Sequence, residues 1–160
     1  MKSPLFFGIF VFGALSHAGV FDGSPLDPRN PVEVCQKYVD SNFSSNPEFL
    51  SACGKITTRF AYKCIENVSE KVGGLSVLTI NSCSFVNNKE SLLALQSLIK
   101  NFPINNELIV AASFSNTPAE STCVVGIANR LSEMSLRTVM KCNSESLIDY
   151  GLRWTKAITL

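Results

Sequence analysis

The chain has 160 residues with 14 basic and 13 acidic side chains, a formal net charge of +1, 46% hydrophobic content, six cysteines and one histidine. That length suits one ordinary domain. Charges of both signs are scattered, without a basic stripe or a polybasic cluster, which argues against nucleic acid or an anionic membrane surface as partners.

Met1-Lys2, an apolar run from Leu5 to Leu15 and the small residues of Ser16-His17-Ala18 describe a secretory signal peptide over residues 1–18, cut after Ala18. The run is too short to span ~30 Å of hydrocarbon, so no transmembrane anchor is expected after processing. The expected destination is secreted or periplasmic. Cleavage removes Lys2 and leaves 13 basic and 13 acidic residues.

Residues 19–30 are rich in turn formers and read as an extended leader before a single α-helical domain over residues 31–160. Asn30-Pro31-Val32-Glu33 starts a first helix, with a capping Asn, Pro at the first helical position and Glu three after the cap. Asn46-Pro47-Glu48 starts a shorter one through Phe49, Leu50 and Cys53. Phe60, Ala61, Cys64, Ile65, Val68 and Val72 then recur at helical spacing, and Gly73-Gly74 stops that helix. A short helix from about Ser76 to Cys83 follows. Asn87 with Glu90 reads as a capping box ahead of a stripe running from Leu92 to Phe102, ended by Pro103.

Asn105 or Asn106 caps the next short helix, through Leu108, Ile109 and Ala112. Thr117-Pro118-Ala119-Glu120 is a full start signal for a helix carrying Cys123, Val124, Ile127 and Leu131. Ser132 or Ser135 begins another, with Leu136, Val139, Met140 and Cys142. Ser144 starts a last helix, with Leu147, Ile148, Leu152 and Trp154 as its apolar stripe and Trp154 sealing the end of the core.

The chain also repeats. Cys83-Ser-Phe-Val-Asn-Asn-Lys-Glu-Ser is followed 29 residues on by Ala112-Ser-Phe-Ser-Asn-Thr-Pro-Ala-Glu-Ser, with Glu90 and Glu120 aligning only after a one-residue slip. At that period the cysteines form two series: Cys35, Cys64, Ala94, Cys123 and Cys53, Cys83, Ala112, Cys142. The expected fold is all-α, a right-handed-type, α-solenoid-like stack of helical hairpins. Its four repeats of 29–30 residues lie near 31–56, 57–86, 87–115 and 116–143, with a capping helix over 144–158. In general plan this resembles tetratricopeptide-like solenoids, but the period is shorter and their Trp, Gly, Tyr and Pro signature is missing, so no residue roles carry over.

Six cysteines allow fifteen pairings. Bonds between neighbouring units would set Cys83 and Cys123 against alanines. Bonds within units give Cys35–Cys53, Cys64–Cys83 and Cys123–Cys142, and leave Ala94 and Ala112 as the one pair missing both partners. Each pair is also symmetric about a helix breaker or polar loop, as an antiparallel hairpin requires. Three disulfides with this pairing are therefore expected, at roughly 3 kcal/mol each in the chain-entropy model.

The one histidine, His17, leaves with the signal peptide, and oxidised cysteines offer no thiolate. The glutamates sit at caps or beside lysines. Catalytic residues, metal ligands and cofactors are accordingly not expected, and the protein reads as not an enzyme. Asn42-Phe-Ser and Asn67-Val-Ser are candidate N-glycosylation sequons at Asn42 and Asn67, although a Ser- and Asn-rich chain produces such triplets by chance. The expected function is a non-enzymatic protein-interaction or structural module whose partner is another exported or cell-surface protein. The alternatives are a carrier of a small apolar ligand between helices and an inhibitor of another exported protein.

Overall fold

The computed structural model describes residues 30–144 and 146–159, so the expected signal peptide, its cleavage point and almost all of the leader lie outside the described residues. Among the described residues the chain is all-helical, without strands. Its elements are α1 (Pro31–Phe43), α2 (Pro47–Cys53), α3 (Arg59–Val72), α4 (Val77–Cys83), α5 (Lys89–Asn101), α6 (Asn106–Ala112), α7 (Pro118–Ala128), α8 (Leu136–Met140) and α9 (Leu147–Thr159).

Side-chain caps define where these helices begin. Asn30, Thr58, Asn88 and Thr117 accept first-turn backbone N–H groups of α1, α3, α5 and α7. Asn46, Ser76, Asn105 and Ser135 do the same for α2, α4, α6 and α8. Each cap satisfies a donor that the helix leaves orphaned, typically worth ~1 kcal/mol. Gly73 ends α3 at φ 66°, in the left-handed region where a side chain would be strained, and its N–H reaches back to the Ser69 carbonyl.

Two starts differ from the sequence expectation. Asn88, not Asn87, caps α5, and the reciprocal partner is the Ser91 hydroxyl rather than Glu90. Glu90, one position earlier, instead accepts from the Ser121 hydroxyl of α7 at 2.5 Å. The one-residue slip is therefore a difference in role, since Glu120 does close its own capping box with Thr117. Before α9, Ser146 and Asp149 make the reciprocal bonds, while Ser144 is drawn away to Glu120.

Packing places α1, α3, α5 and α7 beside one another in chain order, and α2, α4, α6 and α8 likewise. Between these two ranks lies one continuous core, with Ile56, Ile65, Ile80, Leu95, Leu98 and Phe114 among its fully buried side chains. Disulfides join Cys35 to Cys53, Cys64 to Cys83 and Cys123 to Cys142, with Cα atoms 5.6, 5.5 and 5.5 Å apart. The first two cystines are fully buried. Cys123, expected on an apolar stripe, is exposed, and so are Val72, the last residue of α3, and Leu131, which lies beyond the end of α7 at Ala128 and not on that helix as expected.

The last helix departs from the expected position. Where the sequence pattern predicts a helix capping the end of a stack, α9 packs chiefly on α4 and α6. Nor do Leu147, Ile148 and Leu152 form its buried stripe: Tyr150 and Ala157 are buried, and Trp154 is partly so.

Candidate functional site

The orientation of α9 is set by polar anchors on both neighbours. An Arg153 guanidinium nitrogen donates to the Ser113 carbonyl and lies beside the Ser113 hydroxyl, both at 3.1 Å, and the guanidinium carbon sits 3.8 Å from the centre of the Phe114 ring. Three interactions thus hold one side chain at the end of α6. One helical turn on, the buried Asn81 of α4 donates to the Ala157 carbonyl at 3.1 Å and accepts from the Lys55 ammonium at 2.9 Å. Tyr150 lies 6.4 Å from Phe114 and stacks nearly parallel to Trp154, with centroids again 6.4 Å apart. Its enclosed hydroxyl has no hydrogen-bond partner, and burial, assisted by Glu107, pushes the phenol up to about 12.

Tyr150, Arg153, Trp154 and Ala157 follow the i, i+3, i+4, i+7 spacing of one helical face, so fixing them inward turns the opposite face out. That outer face is mainly aliphatic, with exposed Thr155 and Thr159 between the aliphatic positions and their hydroxyls bonded back to the Gly151 and Thr155 carbonyls. Leu147, Ile148, Leu152 and Ile158 are 53, 76, 61 and 56% exposed. Gly151 lies among them, and a side chain added there would meet nothing within 4 Å. A scattered exposed leucine is ordinary, whereas four large aliphatic side chains on one helix face form a patch of the kind that marks an interaction site.

At its N-terminal end the patch runs into α8, where Arg137, Met140, Lys141 and Leu147 line a depression of about 140 Å³. Arg137 and Lys141 are exposed and give that end a positive character. Lys156 is exposed farther along α9. Asp149, hydrogen-bonded to the Ser146 hydroxyl and N–H, is held below the usual carboxylate range mainly by those bonds.

A wider groove of about 450 Å³ runs between α3 and α5, lined by Asn67, Glu70, Lys71, Gln96, Ile99 and Lys100. It is open, and its charges are of both signs. The Asn67 amide nitrogen, the atom that a glycan would occupy, is buried without a hydrogen-bond partner. Asn42 lies on the exposed last turn of α1, its amide donating to the Tyr38 carbonyl at 2.8 Å. No group of three or more His, Cys, Asp or Glu side chains among the described residues is placed to hold a metal ion.

Reading the sequence for cysteines and caps missed the outward face of α9. The available signal was a helix with two apolar faces: Leu147, Ile148, Leu152 and Ile158 on one, Tyr150, Trp154 and Ala157 on the other. Comparison with protein-family models, curated proteins and solved structures finds no match to this chain.

Proposed function

We propose that this is an exported, disulfide-braced α-helical repeat protein that acts without catalysis, by docking another exported or cell-surface protein on the outward face of α9. The observation that carries the reading is that face itself, four aliphatic side chains held toward solvent by a fixed inner row. A rigid support lowers the entropy lost on binding.

The repeat part of the reading rests on recurring separations. Caps of the odd-numbered helices stand 28, 30 and 29 residues apart from Asn30 to Thr117, and those of the even-numbered ones 30, 29 and 30 apart from Asn46 to Ser135. Polar contacts between successive segments join residues 28 apart at Thr58–Val86, Asn88–Asn116, Asn101–Asn129 and Ser115–Asn143. Together they favour a solenoid-like stack of four hairpin units. The core residues between the two ranks are closely enclosed, which supports docking on the surface over carriage of an apolar ligand inside.

Export to a secreted or periplasmic destination is favoured by the cysteines, since structural disulfides persist in oxidising compartments. Among the described residues no helix is long and apolar enough to cross a membrane. The test is affinity capture from the exported fraction of the source with oxidised residues 19–160 as bait, beside the Ile148→Glu variant. A partner retained by the first bait and lost by the second supports the reading. Equal capture by both baits, or none under gentle crosslinking, counts against it.

A further inference from the structure

We propose that the partner seated on the outward face of α9 is a second copy of this chain, with the two α9 helices packed antiparallel about a two-fold axis close to Leu152. This rests on the reading of α9 as a docking face and puts a second copy of the chain where that reading puts a different protein. The pattern along the helix is self-complementary. In an antiparallel pair centred between Leu152 and Arg153, Leu147 of one copy lies at the level of Ile158 of the other, and Leu152 sits next to the axis. Gly151, open to space at the centre, lets the two helix axes approach.

Charge follows the same symmetry. Asp149 and Lys156 flank one edge of the apolar face, and the antiparallel arrangement sets each against the other type in the second copy. At the ends, exposed Arg137 and Lys141 beside Leu147 meet the last turn of the second α9, the negative end of its helix dipole. A parallel two-fold pair would instead put the two copies of this edge on opposite sides of the seam, so that Asp149 and Lys156 would not meet.

Area sets the strength. Thirteen helical residues span ~20 Å. A strip of that length buries on the order of 400 Å² per copy, below the ~800 Å² per partner of a standard stable interface. The dimer is accordingly expected to be weak and reversible.

Sedimentation equilibrium on the oxidised chain across a wide concentration range tests this directly. The weight-average mass is expected to rise from one copy toward two. Leu152→Glu, a change at an exposed position, is expected to weaken association at least about tenfold while leaving the helical circular dichroism unchanged. Lys156→Glu is expected to weaken it by a smaller factor, more at low salt than at high. A zero-length carboxyl–amine crosslinker is expected to join Asp149 to Lys156 in the dimer band alone. Seven residues along one helix hold these groups ~10 Å apart, beyond the reach of such a bond within one copy.

A mass that stays at one copy throughout overturns the inference, as does association indifferent to Leu152→Glu. Should the chain be monomeric and an exported protein be captured through Ile148, the occupant is wrong and the docking reading stands. Should the chain be monomeric and Ile148→Glu leave capture unchanged, both fail.

Discussion

The carboxylate of Glu120 holds Ser144 across 24 residues of chain, 3.0 Å from its backbone nitrogen and 2.9 Å from its hydroxyl. The other carboxylate oxygen accepts from the N–H groups of Asn116 and Thr117, at 2.8 and 3.0 Å. One side chain thus ties the start of α7 to the connection that delivers α9. Burial alone would raise this carboxyl, but the bonds from Ser144, Asn116 and Thr117 outweigh it and bring it down from 4.5 to about 2.

A carboxyl with a depressed folded-state pKa binds fewer protons folded than unfolded. Its stabilisation is therefore complete above the unfolded value near 4.5 and is lost as pH falls through about 2. Allowing for solvent screening near the surface, Glu120→Gln is expected to cost on the order of 1–2 kcal/mol at neutral pH. Urea midpoints of both proteins should converge as pH drops from about 5 toward 2. A constant gap across that range would mean that the substitution acts through packing.

What could be read from the sequence was whatever a local pattern encodes. Thr117-Pro118-Ala119-Glu120 announces a cap, a fitted proline and a reciprocal carboxylate within four residues, and the structure realises all three. Gly73 likewise needs only its own backbone freedom. The placement of α9 depends on partners distant in sequence: Arg153 on Ser113, and Asn81 on Ala157 76 residues away. From within the helix, Leu147 and Ile148 are as apolar as Tyr150 and Trp154, and the polar anchors decide which set faces inward. Ser144 reads as a helix start for the same reason, because its partner Glu120 lies outside any local window.

Arg153 should matter more than its partly buried position suggests. Arg153→Ala removes the hydrogen bond to the Ser113 carbonyl together with the contact over Phe114, an expected loss of ~2 kcal/mol. Lysine keeps the charge but neither the planar stack nor the fork of donors, so Arg153→Lys should recover little. Hydrogen exchange is the fitting measurement. The amides of α9 should lose protection in both variants while those of α3 and α5 keep it, whereas a uniform loss would place Arg153 in the global core.

Ala94 and Ala112 are fully buried on the paired helices α5 and α6. If the proposed hairpin units share one geometry, Ala94→Cys with Ala112→Cys should oxidise to a fourth disulfide and stabilise the chain by roughly 2–3 kcal/mol. Intact mass, two hydrogens lighter than the dithiol, reports the bond. Persistent free thiols would show that the α5–α6 pair is spaced differently from its neighbours.

The two sequons should part company in a glycosylating secretory host. Asn42 offers its amide on an exposed helix end, whereas the Asn67 nitrogen is enclosed in the folded chain. A single glycan is expected, removed by Asn42→Gln and unaffected by Asn67→Gln. Occupancy at Asn67 would require transfer before α3 folds.

The three cystines should also open in a fixed order. Cys123 is exposed and Cys142 partly so, while Cys35, Cys53, Cys64 and Cys83 are fully buried. Thiol–disulfide exchange needs an attacking thiolate to reach a sulfur, so access ranks these bonds under native conditions. Brief mild reduction followed by alkylation should label Cys123 and Cys142 first, with the other four labelled only at denaturant concentrations that unfold the core. The six cysteines fall on separate tryptic peptides, so peptide mapping reads each one independently. Opening that bond removes the covalent tie between α7 and the segment just after α8, whose Arg137, Met140 and Lys141 line the depression with Leu147. The selectively reduced protein should therefore associate more weakly at the Leu147 end of α9 while keeping its helical content, since the anchors on α4 and α6 stay in place. Equal labelling of all six under native conditions would mean that the core opens as readily as its surface, and the buried cystines would no longer brace the fold.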